Sequence, residues 1–146
     1  MQLTFYGVRG SIPTPGEDFV RYGGNTACVH VVPGDGTDII LDSGTGIRLL
    51  GEKLIKKTTP IHILLTHNHW DHIQGFPFFT PIYQPEREIN ITPGLTTLPE
   101  YDAIMKQMQG SVFPVPASAL LSNIVITPIP DSTNHWKIGS ASIARL

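Results

Sequence analysis

Cysteine is nearly absent from this sequence, since Cys28 is the only one in 146 residues. A lone cysteine excludes a framework of internal disulfide bonds. The sequence also lacks any uninterrupted apolar run near the ~20 residues that cross a bilayer. Its first residues, MQLTFYGVRGS, lack the basic segment followed by an apolar stretch that marks a secretion signal. We therefore expect a cytoplasmic protein with no membrane contact.

An excess of positive charge is lacking as well. The formal net charge is -2 at pH 7, so the chain has no global basic field of the kind that a general DNA-binding protein needs. Hydrophobic residues make up 40% and charged residues 15% of the chain, a balance typical of a folded protein. Because no internal repeat or linker divides the sequence, we expect residues 1–146 to form a single domain.

Patterns of apolar residues and turn signals predict a layered α/β or α+β domain. Asp35 and Gly36 lie between two β-branched runs, a pattern that indicates a hairpin. A capping box at residues 97–100 predicts the start of a helix. Gly139 and Ser140 place a turn or a bulge inside the last predicted strand. The predicted strands cover residues 2–8, 27–32, 38–41, 61–65, 124–129 and 138–146, the predicted helices cover residues 45–57 and 97–110, and residues 10–25 form a long loop.

The most unusual segment is THNHWDH, residues 66–72, which directly follows an apolar run. Side chains at positions i and i+2 of an extended segment point the same way, so His67 and His69 can present two imidazoles to one point. Asp71 and His72 follow where the chain turns and can reach a neighbouring point. A polar surface loop is the alternative. Four candidate ligands beside a buried strand favour a metal site, because a bound cation relieves the repulsion among charged imidazoles.

This heptad resembles the H-x-H-x-D-H signature of the metallo-β-lactamase superfamily of metal-dependent hydrolases. Further segments resemble one branch of that superfamily, the phosphodiesterases that include tRNase Z-like and cyclic-nucleotide phosphodiesterase-like enzymes. The resemblance implies an α/β fold of the metallo-β-lactamase type, an αββα sandwich that is incomplete here. The segments that carry it are GVRGSIPTPG (residues 7–16), RYGGNTACV (residues 21–29), LDSGTGIR (residues 41–48) and LLTHNHWDHIQGFPFF (residues 64–79).

The resemblance also implies a set of ligands and a reaction. His67 and His69 would bind a first divalent ion, and Asp71 and His72 a second, with zinc as the expected metal and manganese as the alternative. Asp71 would also help to orient the nucleophile that hydrolyses a phosphodiester, in a small molecule, a nucleotide or RNA. Hydrolysis of a thioester or a lactam, and a metal-binding module without catalysis, stay open as alternatives. A homodimer is also kept open.

The heptad does not supply a complete two-metal site. A catalytic zinc usually takes about three protein ligands plus water, so two ions need about six, and the heptad offers four. The resembled family adds a histidine in an H-P-G-G-like stretch, a bridging aspartate and a final histidine, and these motifs do not occur in the sequence. His135 comes too early to replace the last of them. We therefore expect the chain to be the N-terminal part of a longer hydrolase, truncated at its C-terminus, with weak zinc binding and little or no turnover of its own.

Three residues outside the heptad are candidate site residues. Asp42 ends a predicted strand, and the resemblance implies that its carboxylate orients the metal ligands, whereas its alternative role is to cap the first helix. Arg9 and Asn25 lie in glycine-rich loops, where backbone N–H groups could help to hold an anionic substrate. Solvated loop positions are the alternative for both. The DSGTG segment that begins at Asp42 lacks the G-x-x-x-x-G-K-[ST] pattern of a phosphate-binding loop.

The remaining histidines and a group of aromatic residues have structural interpretations. We expect His30, His62 and His135 to occupy packed or hydrogen-bonded core positions, the more common role of a single histidine. The aromatic residues that follow the heptad could stack on a base, although packing in the core is their more common use. These residues are Phe76, Phe78, Phe79 and Tyr83.

Overall fold

A computed structural model describes residues 1–94, 102–129 and 132–144. The strands in this part of the chain are β1 (Gln2–Gly7), β2 (Cys28–Val32), β3 (Asp38–Leu41), β4 (Ile61–Leu64), β5 (Glu88–Thr92), β6 (Asn123–Ile126), β7 (His135–Ile138) and β8 (Ala141–Ala144). The α-helices are α1 (Ile47–Leu54), α2 (Trp70–Ile73) and α3 (Ala103–Lys106). A six-stranded sheet has the order β1-β2-β3-β4-β5-β6, and β7 and β8 form a two-stranded sheet. This mixed α/β arrangement confirms the predicted fold class and is consistent with a partial metallo-β-lactamase fold.

The large sheet changes from antiparallel to parallel pairing at β3. Strands β1 to β3 pair antiparallel, whereas β3, β4, β5 and β6 pair in parallel. The carboxyl ends of β3 to β6 therefore lie along one edge of the sheet, which is the edge where α/β proteins bind ligands. Asp42 directly follows β3 and the heptad at residues 66–72 begins just beyond β4, so both lie at this edge.

The hairpin of β2 and β3 confirms the prediction made from its Asp-Gly pair. Gly36 has a φ of 81°, which glycine adopts without steric cost. The carboxylate of Asp35 accepts a hydrogen bond from the backbone N–H of Thr37 at 3.1 Å and closes the turn. The resulting register brings Val31 opposite Ile39, so both side chains lie on the same face of the sheet.

Helix α1 is present but shorter than the predicted range of residues 45–57. It begins after Gly46 and ends before Ile55. Lys57 lies beyond the helix and reaches Asp38, with 2.8 Å between Nζ and Oδ1. The predicted apolar face of the helix is buried and consists of Ile47, Leu50 and Leu54.

The two faces of the large sheet carry separate cores. The face towards the helices holds the main core, which includes Ile40 and Ile63. The opposite face is covered by the hairpin of β7 and β8, where Ile138 packs in a cluster with Ile39 and Leu64. Because alternate residues of a strand point to opposite faces, β4 is covered on both sides, as its continuous apolar run predicts.

The predicted strand pattern differs from the structure in two places. No predicted strand covers β5, which lies among prolines, yet Ile89 and Ile91 alternate with polar residues and are buried. The predicted strand at residues 138–146 has a predicted turn or bulge at Gly139, and the structure has the turn, within a hairpin that begins earlier, at His135. Gly139 has a φ of 54° and turns the chain between β7 and β8. A short strand is hidden by neighbouring prolines in the first case, and in the second the predicted turn is present but the strand before it begins earlier than predicted.

The second predicted helix, at residues 97–110, is described in part. Helix α3 lies within this range, and the apolar residues Ile104 and Met108 of the range are buried. Thr97 and Glu100, the predicted capping box, lie outside the described residues. Within the described part of the chain, no helix is long and apolar enough to cross a membrane.

Candidate metal centre

Three imidazole rings of the heptad lie together beyond the carboxyl end of β4. The ring centroids of His67 and His69 are 4.4 Å apart, and those of His67 and His72 are 4.1 Å apart. His69 has an extended backbone, with φ of -60° and ψ of 147°, and α2 begins at the next residue, Trp70. An extended segment followed by one helical turn therefore gathers the rings. The spacing of the histidines predicts the contact of His67 with His69, whereas the prediction assigns His72 to a neighbouring point with Asp71.

Asp42 holds His72 from the β3 side. Its Oδ2 atom lies 2.8 Å from Nδ1 of His72. Its φ is 59°, a left-handed conformation that aspartate adopts more readily than most residues. Its backbone N–H donates to the carbonyl of Leu64 at 2.9 Å and joins the end of β3 to β4. The alternative role as a helix cap is wrong, because α1 begins after Gly46 without a side-chain cap.

The hydroxyl of Thr66 connects Asp42 to the histidines, and the sequence interpretation does not single it out. Its Oγ1 atom lies 3.0 Å from both carboxylate oxygens of Asp42 and 3.0 Å from Nδ1 of His67. The backbone N–H of Thr66 also donates to Oδ1 of Asp42 at 2.8 Å. The available sequence signal is a hydroxyl residue between a buried strand and the first histidine, but spacing alone does not give the direction of a hydroxyl group.

Asp71 faces the loop at residues 10–25. Its Oδ2 atom accepts a hydrogen bond from the backbone N–H of Ser11 at 2.7 Å and lies 3.5 Å from Nε2 of His72. Desolvation would raise the pKa of Asp71, but the N–H of Ser11 and the nearby His72 outweigh it, so the pKa lies below its ordinary value of 3.8. Asp71 is therefore a carboxylate at neutral pH, the form that binds a cation.

The environment of His67 favours a neutral ring. Burial lowers its pKa below the ordinary value of 6.5, and His72 and His69 lower the pKa further, because neighbouring imidazoles disfavour an added positive charge. A neutral imidazole keeps a lone pair on one ring nitrogen. His67 is thus in the protonation state that a metal ligand requires.

Glycine allows the segment at residues 42–46 to pack directly against the heptad. A Cβ atom added at Gly44 would overlap the backbone oxygen of Asp71. The backbone N–H of Ser43 donates to the carbonyl of His72 at 2.8 Å. This segment therefore supports the heptad through backbone packing, which explains its small residues without a phosphate-binding role.

A family model described as the metallo-beta-lactamase superfamily matches residues 21–141. The matched range is more than half of the chain and includes both Asp42 and the heptad. The chain belongs to the metallo-beta-lactamase superfamily.

One curated relative of this superfamily member is hydroxyacylglutathione hydrolase of Wigglesworthia glossinidia brevipalpis. The two are 41% identical over 56 residues, which cover 35% of this chain and 22% of the relative. The match thus spans far less than the relative's full length. No solved structure matches the chain.

Members of the metallo-beta-lactamase superfamily typically bind divalent metals, usually zinc. The donor atoms of the heptad fit such an ion chemically, because imidazole nitrogen and carboxylate oxygen are zinc ligands. Within the described ranges, however, no three His, Cys, Asp or Glu residues form a group that could hold an ion as they stand. His67 contacts both His69 and His72, so the rings would have to separate around an ion. The division of the ligands between two ions stays a prediction.

Arg9 and Asn25 both make contacts that organise their loops. Nε of Arg9 donates to Oγ1 of Thr14 at 3.1 Å, and its guanidinium carbon lies 4.6 Å from the ring centroid of Phe19. Oδ1 of Asn25 accepts a hydrogen bond from Oγ1 of Thr45 at 3.2 Å. The role of Arg9 and Asn25 in holding an anionic substrate stays a prediction.

The three histidines outside the heptad differ in their surroundings. His30 is buried, and its Nε2 lies 2.9 Å from Oδ1 of Asp38, which confirms the structural interpretation. His62 is partly buried within β4, and burial lowers its pKa. The expected core position of His135 is wrong, because this residue is exposed at the start of β7. Its neighbour Trp136 packs towards the sheet instead, and successive residues of a strand point in opposite directions.

The aromatic residues after the heptad are used mainly in packing. Phe76 and Phe79 are fully buried in the main core. The hydroxyl of Tyr83 donates to the carbonyl of Pro77 at 2.7 Å. Phe78 is 56% exposed and is the member of this group that remains accessible to a stacking partner.

Proposed function

We propose that the protein is a metal-dependent hydrolase that acts on phosphodiesters. The observation that carries this proposal is the convergence of His67, His69 and His72 with the carboxylate of Asp71 at the edge where β3 and β4 end. Membership of a superfamily of metal-dependent hydrolases supports the reaction type.

His67 and His69 are the proposed ligands of one divalent ion, and Asp71 and His72 those of a second. Zinc is the proposed metal, with manganese as the alternative. Divalent ions at such a site polarise a substrate oxygen and provide a water molecule that ionises near neutral pH. The chain itself contributes the neutral imidazole of His67 and the ionised carboxylate of Asp71. Asp42 accepts a hydrogen bond from Nδ1 of His72, which would leave Nε2 as the ligand atom.

The proposed substrate class rests on the loop beside the heptad. Residues 7–16 and 21–29 resemble the phosphodiesterase branch, and Ser11 in the first segment contacts Asp71 directly. This loop would therefore border a bound substrate. Arg9 and Asn25 are its proposed contacts to the anionic group of a small molecule, a nucleotide or RNA.

Thioester hydrolysis is a second candidate, favoured by one specific observation. The relative at 41% identity is a hydroxyacylglutathione hydrolase, although the match covers only 22% of that protein. The name of that relative denotes the cleavage of an acyl group from the sulfur of glutathione. The two candidates share the metal chemistry and differ in the leaving atom, which is oxygen in a phosphodiester and sulfur in a thioester.

A parallel assay separates these candidates. The purified chain is given zinc or manganese at a fixed concentration and offered bis(p-nitrophenyl) phosphate, S-lactoylglutathione and a β-lactam. We expect slow phosphodiester turnover, because the heptad supplies four of about six ligands. Turnover should be lost in His67→Ala and kept in the control His135→Ala, which changes an exposed histidine outside the candidate centre.

The relative rates decide the outcome of this assay. Thioester turnover above phosphodiester turnover would favour the second candidate and overturn the first. Metal binding without turnover of any substrate would instead indicate a metal-binding module without catalysis.

A further inference from the structure

We propose that Thr66 is a positioning residue that determines which ring nitrogen of His67 carries the proton. The inference rests on the proposed function only because the bare nitrogen is the one that His67 would offer to a metal ion. It is derived from hydrogen bonds that the chain makes with itself.

The first step concerns the carboxylate of Asp42, which can only accept hydrogen bonds when ionised. Its Oδ1 atom accepts from the backbone N–H of Thr66 at 2.8 Å. Its Oδ2 atom lies 2.8 Å from Nδ1 of His72, so this nitrogen must carry a hydrogen. The lone pair of a neutral His72 is then on Nε2.

The second step concerns the hydroxyl of Thr66, which has a single proton. Its Oγ1 atom lies 3.0 Å from both oxygens of Asp42 and 3.0 Å from Nδ1 of His67. If the proton pointed to His67, the hydroxyl oxygen would face a carboxylate with no hydrogen between them, which is repulsive. A charge-assisted O–H···O⁻ bond to Asp42 is stronger than a neutral bond to imidazole. The proton of Thr66 is therefore directed to Asp42.

The third step follows for His67. The hydroxyl oxygen of Thr66 has no second proton to donate, so it accepts a hydrogen bond from Nδ1 of His67 at 3.0 Å. His67 thus carries its hydrogen on Nδ1 and its lone pair on Nε2. One carboxylate selects the tautomer of two histidines, of His72 by direct contact and of His67 through Thr66.

Removing the hydroxyl should release His67 and keep the tautomer of His72, whose Nδ1 loses a longer contact of 3.4 Å with Oγ1 of Thr66 but keeps its contact of 2.8 Å with Asp42. Thr66→Val keeps the branched shape and the backbone N–H that binds Asp42 but has no hydroxyl. Nδ1 of His67 would then lose its acceptor, and the proton would shift towards Nε2, the position that free histidine prefers. Thr66→Ser keeps the hydroxyl and is the matched control.

The test is ¹⁵N NMR of the imidazole rings in metal-free protein, at an alkaline pH where both rings are neutral. Protonated and bare ring nitrogens have well-separated shifts. We expect protonated Nδ1 at His67 and His72 in the wild type and in Thr66→Ser. In Thr66→Val we expect His67 to change to protonated Nε2, with His72 as an internal control that does not change.

Two results would overturn the inference: a proton on Nε2 of His67 in the wild type, or an unchanged His67 spectrum in Thr66→Val. If Thr66→Val does not fold, the wild-type spectrum decides alone. The spectra are recorded without metal or substrate. If they are as expected but the protein turns over no substrate, the proposed function is overturned and the role of Thr66 is not.

Zinc affinity, measured by competition with a chelator, gives a second readout. Loss of an orienting contact typically weakens metal binding by about 10- to 100-fold, and we expect a loss in this range for Thr66→Val but not for Thr66→Ser. Equal zinc affinity of Thr66→Val and the wild type would overturn the effect of Thr66 on the metal ion.

Discussion

Strand β3 has an aspartate at its amino end and another directly after its carboxyl end, and the two have different partners. Asp38, at the amino end, has no exposed side-chain surface and lies 2.8 Å from Nζ of Lys57 and 2.9 Å from Nε2 of His30. A lysine of the chain itself therefore supplies the positive charge that a buried carboxylate needs.

Asp42, after the carboxyl end, pairs with His72 and has no lysine partner among the described residues. Among the described residues, the ion pairs of Asp42 and Asp71 are made with His72 alone. Nearby, burial lowers the pKa of His67 and favours its neutral form. Both aspartates pair with a histidine. Where a lysine of the chain also supplies positive charge, as at Asp38, the result is a structural cluster; where the described residues supply no lysine, as at Asp42, the result is a candidate cation site.

The largest expected effect on stability is that of Asp38→Asn. This change leaves Lys57 and His30 without their carboxylate, and breaking a buried ion pair costs about 3–5 kcal/mol. Because Lys57 is 45% exposed, we expect the free energy of unfolding in urea to fall by about 2–3 kcal/mol, below the buried-pair range. Zinc affinity should not change. Wild-type stability in Asp38→Asn would show that the cluster is not structural.

Asp42→Asn should give the opposite profile. Asparagine also tolerates a positive φ, so this variant removes the charge without a backbone penalty. We expect a loss of about 1 kcal/mol in the free energy of unfolding and a loss of about 10- to 100-fold in zinc affinity. Unchanged zinc affinity together with a large loss of stability would place Asp42 in the same class as Asp38.

Acid should destabilise the Asp38 cluster. Burial lowers the pKa of His30 below 6.5, although Asp38 opposes this shift. Burial would raise the pKa of Asp38, but hydrogen bonds from Lys57 and His30 hold the pKa below 3.8. In both cases the unfolded chain binds its proton at a higher pH than the folded chain, so protonation favours unfolding.

The stability contributed by these two groups should therefore be fully present above pH 6.5 and should decrease as the pH falls, first through His30 and then, below 3.8, through Asp38. Denaturation at a series of pH values measures this decrease. Asp38→Asn has no carboxyl group to protonate at this position, so it should lack the decrease in stability that Asp38 causes below pH 3.8. A free energy of unfolding that increased on acidification from pH 6.5 would contradict the lowered pKa of His30.

Lys57→Met should also have a small effect on stability, about 1 kcal/mol, because the lysine is partly exposed and His30 remains as a partner of Asp38. Its charge lowers the pKa of His30, so the variant should raise that pKa and make His30 the cation partner of Asp38. An NMR titration of the His30 ring measures the shift. An unchanged or lower pKa would show that Lys57 does not act on His30.

Local signals in the sequence predict much of the framework. The Asp-Gly pair predicts the β2–β3 hairpin, and helical spacing predicts the buried face of α1. The spacing of His67 and His69 predicts that their rings lie together, because side chains at positions i and i+2 of an extended segment point the same way.

Contacts between distant residues could not be predicted in this way. Strand β5 has a weak local pattern and is stabilised by pairing with β4 and β6. The exposure of His135 depends on how the β7–β8 hairpin lies on the sheet. The role of Thr66 depends on the position of Asp42, which is 24 residues away, and hydroxyl direction leaves no trace in residue spacing.

Zinc titration of the metal-free protein tests the central claim most directly, that residues 66–72 gather side chains able to bind a divalent cation. Calorimetry is carried out on the wild type, on the double variant His67→Ala/His69→Ala and on His135→Ala. Saturable zinc binding in the wild type and in His135→Ala, lost in the double variant, is the predicted result. Equal zinc binding by all three proteins, or by none of them, would contradict the account.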